Sequence, residues 1–79
     1  MTQTLVDARG HRCPVPTLRL RRAMELLPPG GVARLLADDP MARIDVPHFA
    51  RERGYLLSES GEVDGALYFV VSKPASEPA

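Results

Sequence analysis

The sequence predicts an α/β fold: a two-layer sandwich with two helices on one face of a mixed four-stranded sheet. Three observations predict it. Short apolar runs alternate with stretches of helical periodicity in the order β-α-β-α-β-β. The last two runs are joined through Asp64-Gly65, a hairpin signal, so the sheet is mixed and not wholly parallel. The chain has 79 residues, 44% of them hydrophobic and none Trp, which supports one thin core and not two. One domain spanning 1–79 is therefore expected, with its core in 5–72.

Leu5-Val6-Asp7 reads as a short first strand, ended by the turn-prone Arg9-Gly10. Residues 16–27 read as a helix. Leu20, Ala23, Met24 and Leu27 share one face at helical spacing, with Arg19, Arg22 and Glu25 off it. Pro16 suits the first turn, where a missing N–H does no harm, and Pro28-Pro29-Gly30-Gly31 stops the helix. Residues 32–37, apolar except for Arg34, read as a well-buried strand. Asp38-Asp39-Pro40 then carries a helix-start signature, an acidic cap followed by proline. Pro47 lies inside the helix that follows. Because an interior proline removes a hydrogen bond and crowds the preceding turn, a kink is expected there, or a short turn at 40–43 with the helix restarting near Asp45. Gly54 ends it. Residues 55–59 and 66–72 form the strand pair, and the proline-containing tail 73–79 is expected to fray. With both helices on one face, the other face of the sheet is left open to a partner.

Composition narrows the function. Ten basic and ten acidic residues balance, so the net charge says nothing about nucleic acid or membrane. Locally the balance fails: residues 1–22 hold Arg9, Arg12, Arg19, Arg21 and Arg22 against the single acid Asp7. The arginines of 19–22 point to different sides of a helix with no interleaved aromatic rings. They suit a solvated face, or docking of an acidic protein, better than direct nucleic-acid binding. One cysteine excludes an internal disulfide and with it the stapled secreted class. No leader pattern or membrane-length apolar run is present, so a cytoplasmic location and a reduced thiol are expected. So thin a core has no room to enclose a large organic cofactor, and none is expected. His11, Cys13 and His48 lack the paired spacing of a zinc site, so no metal is expected. Gly30-Gly31 lacks the length and the lysine of a nucleotide loop.

Cys13-Pro14-Val15-Pro16 is the candidate site. A residue before proline is driven toward extended geometry, so Cys13 is expected just outside the helix. Pro14 and Pro16 fix their own φ near the helical value, which makes a stiff pedestal at the positive end of the helix dipole. Arg12 adjoins the thiol and Arg9 lies upstream; both favour thiolate. The dipole contributes about 0.3–1 kcal/mol, less than the ~1.4 kcal/mol of one pH unit, and Pro14 offers the sulfur no N–H. Activation is thus expected to be moderate, which leaves a good nucleophile. A small buried hydrophobe is the commoner role of a lone cysteine. The polar flank Arg9-Gly10-His11-Arg12 argues for exposure, and on the residues alone both readings stay open.

From Leu5 to Pro16 the chain resembles the start of the TusA/SirA-like sulfur carrier proteins, marked by Asp-x-x-Gly followed by Cys-Pro-x-Pro opening the first helix. The resemblance continues through Pro29-Gly30, Asp38-Asp39-Pro40, Asp45-Val46-Pro47 and Gly54, covering roughly 5–72. It implies a two-layer α/β sandwich and a cysteine, here Cys13, that carries sulfane sulfur as a persulfide. Pro14 and Pro16 would shape that site, with Asp7, Arg9 and Gly10 as its turn and helix lead-in. It also implies a sulfur donor of the cysteine desulfurase or rhodanese type and a downstream acceptor protein, in tRNA thiolation, molybdenum-cofactor metabolism or sulfur oxidation. Such a carrier is a sulfurtransferase-type relay protein more than a stand-alone enzyme, and it is expected to be a monomer. Arg12, Arg19 and Arg22 are the candidate docking residues. His11 departs from the family, which more often has an apolar residue there. The alternative is a regulatory or redox-sensing interaction module of the same fold, without catalysis.

Overall fold

The structure, a computed structural model, describes residues 3–12 and 15–74. The chain runs β1 (Thr4–Asp7), α1 (Val15–Leu26), β2 (Val32–Ala37), α2 (Ala42–Arg53), β3 (Leu56–Val63) and β4 (Ala66–Ser72). The sheet order is β1-β2-β4-β3, with β1 parallel to β2 and the other pairs antiparallel. This is the expected mixed sheet. α1 lies over β1 and β2, α2 lies over β3 and β4, and the helices touch each other, so both cover one face.

The core sits between these layers. Alternation along β2 sends Ala33, Leu35 and Ala37 under the helices, and β4 adds Leu67, Phe69 and Val71. Leu20 and Met24 of α1, four residues apart, meet them fully buried. On α2 the buried residues are Ala42, Val46, Phe49 and Ala50, a stripe at helical spacing, and the Phe49 ring meets Tyr55 edge-on at 5.7 Å. The alanines of the central strand let the helices approach closely.

Several elements depart from expectation. Helix α2 is one span, Ala42–Arg53, with Pro47 inside it; of the two alternatives, a kink or a restart near Asp45, it does not restart. Its first turn is wound tightly: the N–H groups of Ala42, Arg43 and Ile44 donate to carbonyls three residues back, Asp39, Pro40 and Met41. Pro47 forfeits one intrahelical bond, while Val46 and Phe49 beside it hold the helix to the core. Gly54 closes α2 in the left-handed conformation, as expected. β3 continues past Glu59 to Val63 because β4 supplies partners for Ser60, Gly61 and Glu62. A register shift between Leu57 and Glu59 leaves Ser58 as the extra residue of a bulge. The Tyr68 ring lies over Gly61, where a Cβ would stand 3.0 Å from it. Asp64 and Gly65 both take positive φ, 51° and 78°, as a two-residue hairpin turn between right-twisted strands requires.

Residues 73 and 74, expected to fray, are held in place. Lys73 N–H donates to the Gly31 carbonyl at 2.9 Å, and the Pro74 carbonyl accepts from Gly30 N–H at 3.2 Å. Backbone pairing that prolongs the β2–β4 ladder outweighs the absence of core residues there. Residues 75–79 lie outside the described residues.

The open face of the sheet carries Leu5, Arg34, Leu36, Tyr68 and Glu59. Arg34 stacks 4.6 Å from the Tyr68 ring centre, and the Tyr68 hydroxyl donates to Glu59 at 3.1 Å.

Candidate functional site

Cys13 and Pro14 lie outside the described residues, so the site is built from the segments on either side of them. Upstream, β1 ends at Asp7, and the parallel register pairs Asp7 with Leu36. Ala8, fully buried, prolongs this pairing by donating its N–H to the Leu36 carbonyl at 2.8 Å. The chain then turns: His11 N–H donates to the Ala8 carbonyl at 3.3 Å, and Gly10 takes φ +84°, a conformation costly for any residue with a Cβ. Downstream, Val15 N–H donates to the Arg12 carbonyl at 2.9 Å, and Pro16 is fully buried in the first turn of α1.

Two carboxylates hold this lead-in. Asp7 accepts from the Arg9 backbone N–H at 3.1 Å, from Nε at 2.9 Å and from Nη2 at 2.8 Å. The guanidinium hydrogen bonds, and then the backbone N–H of Arg9, draw the Asp7 carboxyl down from 3.8 to about 2, with more distant help from Arg19. Arg9 is raised in turn, chiefly by its bonds to Asp7. Asp38 accepts the Gly10 N–H on both oxygens, at 3.1 and 2.9 Å. From the sequence, Asp38 and Asp39 are together expected to cap the second helix. Asp39 does accept from Met41 N–H at 3.0 Å, but Asp38 reaches across to the loop before Cys13. No local signal shows this contact, since 28 residues separate the partners. The parallel register of β1 and β2 does, by setting residue 38 beside the turn at 9–10.

Gly10, His11 and Arg12 then line an open depression of about 500 Å³ with Asp38, Asp39 and Pro40. Its walls are acidic on the β2 side and basic on the loop side. Arg19 and Arg22 lie elsewhere, along a shallow groove between β1 and α1 with Leu5, Asp7, Ala23 and Leu26. The three docking candidates therefore fall on two neighbouring surfaces. On the second, Leu5 and Leu26 are 60% and 78% exposed beside the arginines. His48 pairs with Glu52 on α2, at 3.6 Å, and does not join His11. Among the described residues no cluster of three or more His, Asp or Glu side chains is placed to hold a metal, and no helix is long and apolar enough to cross a membrane.

The carboxylate-pinned lead-in and the β1-β2-β4-β3 sheet have counterparts among known proteins. The family described as Sulfurtransferase TusA matches residues 4–73. The chain belongs to the TusA family. The sulfur carrier protein TusA of Pseudomonas aeruginosa is 35% identical over 71 residues, covering 90% of each chain. Its counterpart in Allochromatium vinosum is 35% identical over 68 residues, 86% of this chain and 90% of its own. The crystal structure of a SirA-like protein from Desulfitobacterium hafniense superposes with a TM-score of 0.81 at 31% identity, over 91% of this chain and 99% of that one. The TusA match thus takes in every strand and helix described above, together with both carboxylates that hold the Cys13 lead-in.

Proposed function

We propose that this chain is a sulfur carrier that holds sulfane sulfur as a persulfide on Cys13 and hands it to a partner protein. The observation that carries the reading is the TusA match over 4–73, which encloses the chain's only cysteine. The chemistry needs nothing further from the chain. The Cys13 thiolate attacks the outer sulfur of a donor persulfide, R–S–SH; the new Sγ–S bond forms as the donor's S–S bond breaks, and R–S⁻ leaves. The outer sulfur keeps its proton, charge is conserved, and no electrons are gained or lost overall. A second thiol nearby would expel the cargo by closing a disulfide, and this sequence has none.

Asp7, Arg9 and Gly10 set the approach to Cys13, and Pro14 and Pro16 stiffen the start of the helix. Arg12 on the depression, and Arg19 and Arg22 on the groove, offer positive charge to the acidic faces of a donor and an acceptor. A donor of the cysteine desulfurase or rhodanese type suits this chemistry, as does a reducing cytoplasm that keeps the free carrier a thiol.

Intact-mass measurement after incubation with a cysteine desulfurase and cysteine tests the reading. The chain gains one sulfur atom, loses it to reductant, and gains none as Cys13→Ser. If the mass never changes while Cys13 still alkylates readily, the carrier reading fails and a redox or regulatory role takes its place.

A further inference from the structure

We infer that Asp38 is a positioning residue for Cys13, acting through the Gly10 N–H; this rests on the reading of Cys13 as the reacting atom. Asp38 leaves the end of β2, a central strand whose last residue, Ala37, is fully buried. Its backbone therefore continues directly from a buried strand in the interior of the sheet. From there both carboxylate oxygens take the one N–H of Gly10. Gly10 is the residue whose left-handed φ redirects the chain from β1 toward α1, and only His11 and Arg12 lie between it and Cys13. Each residue of chain spans up to about 3.3–3.6 Å. Releasing Gly10 therefore loosens a lead-in whose reach is several ångströms, and a displacement of about 1 Å from productive geometry can cost up to a hundredfold in rate.

The remaining ties of the loop do not replace this one. Asp7 and Arg9 bond each other two residues apart and so fix a local turn, not the place of the loop against β2. The His11–Ala8 bond is likewise internal to the loop and long, at 3.3 Å. Among the described residues, the contact from Asp38 joins the lead-in to the neighbouring strand beyond Ala8.

Two substitutions separate the acceptor from its charge. Asp38→Ala and Asp38→Asn remove the same negative charge, but the Asn carbonyl oxygen still accepts the Gly10 N–H. Cys13 loading by inorganic polysulfide is followed by intact mass, and Cys13 alkylation by iodoacetamide is followed across pH. Asp38→Ala is expected to load about tenfold more slowly, and Asp38→Asn to stay within about twofold of the parent chain. The pH midpoint of alkylation should be the same in both variants, because both lose the same charge. Equal rates for Asp38→Ala and the parent, or an Asn variant as slow as the Ala variant, overturn the inference. If Asp38→Ala does not fold, hydrogen exchange at the Gly10 amide decides: protection in the parent and in Asp38→Asn supports the contact, and exchange at the open-chain rate overturns it. If the parent never loads sulfur yet the two variants still split in alkylation, the carrier reading has failed and the positioning role stands.

Discussion

The two ends of the sheet are closed in different ways. At the end that leads to Cys13, exposed carboxylates take backbone and guanidinium donors: Asp38 on Gly10, Asp39 on Met41, Asp7 on Arg9. At the opposite end, closure is by backbone and by an ammonium group. Gly31 N–H meets the Pro28 carbonyl, the 73–74 backbone pairs with 30–31, and Lys73 Nζ donates to the Leu27 carbonyl at 2.6 Å just past the end of α1. The lysine there also faces the negative end of the α1 dipole. The far end is thus joined through main-chain ladders that continue the core. Past the Ala8–Leu36 backbone bond, the site end is held by side-chain contacts that can be changed without touching the core. Damage to the far end should therefore appear as lost stability, and damage to the site end as lost sulfur transfer.

The largest expected effect lies at the far end. A Cβ on Gly31 would stand 2.8 Å from Leu27 Cβ and 2.9 Å from the Pro28 carbonyl oxygen, atoms close to the backbone with little freedom to move away. Gly31→Ala should cost about 1–3 kcal/mol in urea unfolding while the folded protein loads sulfur on Cys13 at the parent rate. A loading defect as large as the stability loss would erase the distinction between the ends. A smaller effect is expected for Lys73→Met, which keeps the apolar stem and removes the donor to Leu27. The loss should be about 1 kcal/mol, again with unchanged loading; no change in the urea midpoint would remove Lys73 from the closure.

The sequence was readable where structure is local. Strand 32–37 is bounded by Gly31 and Asp38-Asp39, and strand 66–72 by the Asp64-Gly65 turn, so punctuation alone sets their limits. The first helix falls one residue from its expected span because its ends are marked by prolines. What stayed hidden depends on partners distant in sequence. β3 runs on to Val63 through Ser60-Gly61-Glu62, a stretch with poor strand propensity, because β4 lies beside it and Tyr68 covers Gly61. The tail at 73–74 is held by residues 30–31 in the same way. At the site, the Asp7-x-x-Gly10 turn could be anticipated from its residues. The Asp38 contact could not, because it exists only once β1 and β2 are in register.

The smallest expected effect sharpens the contrast through pH. Asp7 titrates at about 2 in the fold against 3.8 for the free group, chiefly because Arg9 bonds its ionised form. Between pH 4 and pH 2 the unfolded chain therefore binds more protons at this position than the folded one, and lowering the pH favours unfolding. The Asp7 contribution is complete above about pH 4 and disappears as the pH falls through about 2. Asp7 and Arg9 are both exposed, so solvent screens the pair and the contribution to stability is small. Asp7→Asn should thus lie slightly below the parent in urea midpoint at neutral pH, and the two curves should converge on acidification across that window. The backbone ladders at the Gly31–Lys73 end have no proton to gain there, so Gly31→Ala should run parallel to the parent over the same range. Parallel curves for Asp7→Asn as well would mean that the Asp7–Arg9 pair does not hold the folded lead-in to Cys13, leaving the contact from Asp38 to do so.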